Sequence, residues 1–221
     1  MPGNRSNLLK ENLLALAIES GMRQLLKHKQ TALAIGAVLA AAALLSSYVA
    51  FRKSQLEELA WQKLSMAQSH VMQAHVNEAI SILKDLISAH RSKAVLAQAD
   101  YLLGNLYMAT SNSQGAVEAY EAGLRSAPNK SLEPLLLAAL GAAYEDKGGI
   151  SETRETYARF LKNHPDHYLT PRILLSLVRL HSLNKNSEAA RDNYEKLLTL
   201  YPDTPWTKRA GAYLQSKTTP K

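Results

Sequence analysis

Residues 144–167 read YEDKGGISETRETYARFLKNHPDH. The segment joins a double glycine, a Glu-rich helix start and two histidines around Pro-Asp. Taken alone, it fits either a phosphate loop beside a metal pair or one piece of a repeated scaffold. The neighbouring sequence decides between them. AVEAYEAGLRSAP at 116–128, TRETYARFLKNHP at 153–165 and ARDNYEKLLTLYP at 190–202 are three versions of one segment, spaced by 37 residues. A fixed period of this size marks an array of stacked supersecondary units.

Other slots keep the same period. Tyr120, Tyr157 and Tyr194 recur, with Leu83 one period earlier, and Ala79, Ala116, Thr153 and Ala190 stand four residues ahead of them. Pro128, Pro165 and Pro202 recur, with Arg91 in the first copy. Gly104 and Gly141 share a slot with Ala67 and Val178, and three residues later come His70, Tyr107, Tyr144 and His181. These slots describe a helical hairpin. In LLGNLY and ALGAAY a small residue lets a second helix approach, and an aromatic fills the seam. In the second helix the i,i+4 spacing puts the small residue and the tyrosine on one face, and the proline stops it. The opening segment is therefore read as scaffold. Gly148-Gly149 predicts a left-handed helix end, Ser151 predicts the N-cap of the next helix, and residues 164–167 predict the turn into the fourth unit.

Little in the chain points to chemistry. Its 221 residues contain no cysteine, so disulfides, thiolate zinc sites and a cysteine nucleophile are excluded. Nucleotide-loop, nucleophile-elbow and metalloprotease motifs are missing. His164 and His167 have only Asp166 for company, and His70 and His75 lie five apart, poorly placed to share a helical face. Glu145-Asp146 and Glu152/Glu155 read as charges at helix ends and on exposed faces. No catalytic residue, metal or cofactor is expected. The net charge is +7, yet residues 1–53 carry seven basic and two acidic groups, leaving 19 basic and 17 acidic groups in residues 54–221. A nucleic-acid binder carries its basic stripe on the folded domain, so no nucleic-acid partner is expected.

The early basic groups flank an apolar run. Residues 31–51, TALAIGAVLAAAALLSSYVAF, are uncharged, with Lys27, His28 and Lys29 before them and Arg52 and Lys53 after. Such a run spans about 30 Å as a helix, enough for a bilayer core. A buried Ala-rich helix is the rival reading, but basic pairs at both ends argue against it. A cleaved signal peptide is disfavoured by the long basic region and by Tyr48, which is bulky for a cleavage site ending at Ala50. The reading is an uncleaved signal anchor. Local basic counts on the two sides are equal (Arg23, Lys27, Lys29 against Arg52, Lys53, Lys63), so orientation rests on Arg5 and Lys10 in the tail. Residues 1–30 are read as a cytoplasmic, partly amphipathic tail, with apolar clusters at Leu8/Leu9, Leu13/Leu14, Ala17/Ile18 and Leu25/Leu26. Gly36 and Ala40 give a small-xxx-small face for contact inside the membrane.

The hairpin slots resemble those of the tetratricopeptide repeat. The resemblance covers four units over 58–202, within a domain at 54–221 that ends in a capping helix near PWTKRAGAYLQS. It implies an all-α protein: an N-terminal transmembrane helix followed by an α-solenoid. It also implies a partner-binding groove lined by the first helix of each unit. Mapped from the glycine slot, that face holds Trp61, Leu64 and Gln68, then Tyr101, Asn105 and Met108, then Leu135, Ala138, Ala142 and Glu145, then Arg172, Leu175 and Arg179. Members that grip a terminal carboxylate carry a lysine where Tyr101 stands, so no such clamp is expected. The layout of tail, span and repeats resembles the bacterial ancillary subunit of the Sec translocon. That implies a single-pass inner-membrane protein with a periplasmic repeat domain, whose partners are translocon subunits, periplasmic chaperones or client chains. YEKLLTLYPDTPWTKRA also resembles repeats of Tol-Pal and outer-membrane assembly proteins, which implies the alternative of an envelope scaffold without client handling.

Overall fold

Every regular element among the described residues is a helix. The computed structural model describes residues 29–89, 92–126 and 129–215. The chain divides into two compact units, residues 1–56 and 57–221. The tail clusters and the Arg91 and Pro128 slots lie outside the described residues.

Helix α1 (Lys29–Met72) crosses that division. Within the first unit, every side chain from Leu33 to Leu56 is exposed, including Leu39, Leu44, Leu45, Val49 and Phe51. This part of α1 holds the one stretch among the described residues that is long and apolar enough to cross a membrane. A soluble helix buries such residues along a stripe; here none is buried among the described residues. Gly36 has no atom within 4 Å of where a Cβ would stand.

The second unit continues with α2 (Val76–Ala89), α3 (Lys93–Ala109), α4 (Ser113–Arg125), α5 (Leu132–Lys147), α6 (Ile150–Asn163), α7 (Thr170–Leu183), α8 (Ser187–Leu200) and α9 (Pro205–Gln215). Successive helices pack on each other, and α9 closes on both α7 and α8. Four core clusters follow the chain order. The first joins Ala60, Leu64 and Ala67 of α1 to Leu83 and Leu86 of α2 and to Val95 and Leu103 of α3. The second sets Tyr120 against Leu136 and Leu140. The third holds Leu137, Tyr157, Phe160, Ile173 and Leu177, and the fourth Leu174, Val178, Leu197 and Ala210. Each cluster is too small to stabilise a domain alone, so the stack is the folding unit.

The turns inside the hairpins repeat as strictly as the helices. Ala74, Ser111, Gly148 and Lys185, 37 residues apart, all have φ between 58° and 81°. In each turn the left-handed residue donates its N–H three residues back. The next residue donates five residues back, at 2.8–3.0 Å, to the carbonyls of His70, Tyr107, Tyr144 and His181. These are Schellman ends, which satisfy the last carbonyls of the first helix. Glycine relieves the left-handed strain only at Gly148; the other three turns adopt it with a Cβ.

One sequence expectation shifts at these ends. Ser151 does not cap α6. The residue that completes the Schellman turn, Gly149, is also the N-cap, so α6 begins at Ile150 and Ser151 lies inside it, donating to Glu155 at 3.5 Å. Asn112 and Asn186, in the matching position, do cap with their side chains, accepting from Gly115 N at 2.9 Å and Ala189 N at 3.2 Å. At the far ends α6 and α8 stop two residues before Pro165 and Pro202, with His164 and Tyr201 as the C-caps between, as the prolines require.

Candidate protein-binding site

The face expected from the glycine slot splits into three groups. The first loses one member to packing. Leu64 is 2% exposed inside the first core cluster, which corrects its expected place in a groove. It faces α2 because Ala60, Leu64 and Ala67 form the i, i+4, i+7 stripe of α1 that the core covers. Trp61, at 39%, and Gln68 remain exposed on the same helix.

The second group is half-buried beside the second core. The Tyr101 and Tyr120 rings tilt together at 6.2 Å, and Met108 packs on the same cluster. Asn105 Oδ1 accepts a hydrogen bond from the Tyr120 hydroxyl at 2.8 Å. Its amide therefore satisfies the buried end of a seam tyrosine. Burial, with the Tyr101 hydroxyl adding to it, raises the Tyr120 pKa. Leu135 turns away from Ala142 and Glu145. It packs on the second core and lines a separate hollow with Pro134, His164, Pro165 and His167. There His167 and His164 lie against the Phe160 ring, at 5.6 and 5.9 Å. His164 Nε2 is 3.7 Å from Glu133. Burial lowers the His167 pKa, and His164 adds to that. No group of three or more His, Asp or Glu fit to hold a metal occurs among the described residues.

The third group does converge. Ala142 and Glu145 from α5 meet Arg172, Leu175 and Arg179 from α7 in a hollow of about 280 Å³. Arg179 donates to Glu145 at 2.8 Å, with the carboxylate the more buried partner. Tyr157 and Ser176 form the floor. Tyr157 is 2% exposed, and burial, with Glu145 adding to it, raises its hydroxyl to about 12. Helix α9 closes the side with Trp206, Arg209 and Tyr213. The sequence assigns α9 only a capping role. The i, i+3, i+7 spacing of those three residues was the available signal, since it places one cationic and two aromatic groups on one face. Arg172 and Arg209 have no carboxylate within ion-pair distance among the described residues.

A different buried ionisable group lies within the second repeat. Asp100 of α3 is 4% exposed, and burial lifts its carboxyl to about 7 against the opposing pull of Arg125. Its Cβ would lie 3.3 Å from a Cβ placed on Gly123 of α4.

Residues 64–131 and 171–204 each match a family model for the tetratricopeptide repeat. No curated protein matches the chain. Among solved structures it is similar to a tetratricopeptide repeat protein from Parabacteroides merdae, at 16% identity and a TM-score of 0.62, over 71% of this chain and 59% of that one. It is similar also to pilF of Pseudomonas aeruginosa, at 18% identity and a TM-score of 0.54, over 69% and 66% of the two chains. A third similar structure, YrrB, is described as a TPR protein with an unusual peptide-binding site; it is 15% identical with a TM-score of 0.56, over 71% and 76%. The chain thus spans less than two thirds of the first two proteins. At these identities the likeness concerns the fold. The repeat models, the 37-residue recurrence of seams and turns, and the solved structures agree: this chain carries tetratricopeptide repeats and folds as their helical solenoid.

Proposed function

We propose that the protein is a membrane-anchored module that receives partner proteins on its repeat domain, as an ancillary subunit of the Sec translocon. In this reading residues 31–51 hold it in the bacterial inner membrane with the tail in the cytoplasm. The repeat domain stands in the periplasm and links emerging secretory chains to chaperones. The observation that carries the reading is the pairing of an uncharged helix, exposed on all sides, with a repeat solenoid. An apolar surface of that extent needs a covering, and a bilayer supplies it. Tetratricopeptide repeats are protein-binding scaffolds, and the peptide site ascribed to YrrB is consistent with one here.

The test has two arms. The full chain should stay with membranes after an alkaline carbonate wash, and an alkaline phosphatase fused after Lys221 should be active. A photo-crosslinker at Trp61 or Met108 should capture translocon subunits or periplasmic chaperones in intact cells. An inactive fusion would overturn the topology. Crosslinks confined to Tol-Pal or outer-membrane assembly proteins would replace the translocon by another envelope complex.

A further inference from the structure

We infer that the hollow between α5, α7 and α9 binds an acidic internal segment of a partner protein. The inference rests on reading the repeat domain as a partner-binding module and assigns that role a place and a chemistry. Three guanidinium groups reach the hollow, from Arg172 and Arg179 on α7 and Arg209 on α9, against one carboxylate, Glu145. Glu145 is committed to Arg179 at 2.8 Å. The pair fixes the Arg179 plane, and two cations are left without a carboxylate partner among the described residues. Guanidinium groups recognise carboxylates through paired, parallel N–H donors. An incoming Asp or Glu side chain would supply what Arg172 and Arg209 lack.

The other lining groups favour a polypeptide over a lipid headgroup or a free anion. Trp206 and Tyr213 flank the arginines with large, rigid apolar faces, of the kind enriched at protein-binding anchors. They suit an apolar residue interspersed with acidic ones. Glu145 would repel a uniformly anionic surface, whereas a peptide offers backbone N–H donors to its second oxygen. The hollow also differs from a terminal-carboxylate clamp. Half of its cationic and aromatic groups come from the capping helix, outside the repeats, and nothing in it selects a chain end.

Trp206 is one of only two tryptophans in the chain, but the direct readout is fluorescence anisotropy with full-length protein in mild detergent. The probe is a labelled, C-terminally amidated peptide of alternating Glu and Leu; its Gln-for-Glu counterpart is the control. The acidic peptide should bind, and the Gln peptide at least tenfold more weakly. Arg172→Ala with Arg209→Ala should weaken the acidic peptide tenfold or more, with helicity and melting temperature unchanged because both side chains are exposed. Lys130→Ala, in the separate hollow where Lys130 lies with Leu135 and His164, should leave binding intact. Equal binding of the two peptides, or an acidic peptide insensitive to the double variant, would overturn the inference. So would capture by anionic vesicles, abolished in the double variant, that excess peptide does not reverse. If the double variant loses peptide but keeps its crosslinks from Trp61 and Met108, the hollow is a separate site. If crosslinks are absent from the wild type as well, the broader functional reading fails independently.

Discussion

The two inner seams of the solenoid and the two outer ones solve one packing problem differently. In the inner units a glycine faces the tyrosine. A Cβ placed on Gly104 would stand 2.3 Å from Tyr120 Cε1, and one on Gly141 would stand 2.2 Å from Tyr157 Cε1. The rings therefore lie flat on helix backbone and are 1% and 2% exposed. In the outer units the slot holds a larger residue. Ala67 faces Leu83, which is thinner than a ring, and both are fully buried. Val178 is also fully buried, and its Tyr194 is pushed out to half-burial. Tyr194 then leans on α9, where its hydroxyl lies 3.4 Å from a Cβ placed on Gly211. The small-residue slot therefore sets how deep the aromatic goes, and the displaced tyrosine becomes the seat for the capping helix.

The sharpest way to break this comparison is to fill an inner slot. Gly141→Leu should expel the Tyr157 ring and cost about 3–5 kcal/mol, comparable to Tyr157→Ala. Tyr194→Ala should cost only about 1–2 kcal/mol, because that ring is already partly in water. Chemical denaturation of the three variants measures the difference. Equal losses for Tyr157→Ala and Tyr194→Ala would abolish the distinction between seams.

The inner region carries a buried acid, whereas the buried ionisable group of the outer fourth unit is a base, His181, whose pKa burial lowers. Asp100 has its folded-state pKa raised from 3.8 to about 7. Between those values the folded state holds the extra proton, so stability falls as pH rises from about 4 to 7 and stays low above it. The size is on the order of 4 kcal/mol at most. Asp100→Asn should flatten that slope, read as melting temperature at pH 4, 5.5 and 8. An unchanged slope would show that the carboxyl titrates in the folded state as it does in the unfolded one.

The smallest effect lies in the turns. Gly148 ends an inner hairpin with no Cβ, whereas Lys185 holds the same left-handed geometry in an outer one. Lys185→Gly should stabilise the domain by about 0.5–1 kcal/mol, and Gly148→Ala should cost a similar amount. Opposite shifts of about 2–3 °C in melting temperature are the expected signature.

Much of this fold was legible in the sequence because a period leaves the same physical demand at the same slot. The recurrences of glycine, tyrosine and proline announced hairpins, seams and helix stops, and the 31–51 run announced a helix with no core to enter. The left-handed turns at Ala74, Ser111 and Lys185 were not legible, since none of those residues favours that region by itself. Hydrogen bonds back to His70, Tyr107 and His181 hold them there. Leu64 was misplaced because spacing from one slot fixes a helical face only to within about a third of a turn, and Ala60 and Ala67 pull that stripe inward. The arginine hollow was half visible. Glu145, Arg172 and Arg179 share a predicted face, but bringing Trp206, Arg209 and Tyr213 to it depends on where α9 packs. Periodicity acts along the chain and determines which residues a helix offers. The docking of α9 on α7 and α8 is a long-range event, and only the tertiary structure decides which of those offers meet.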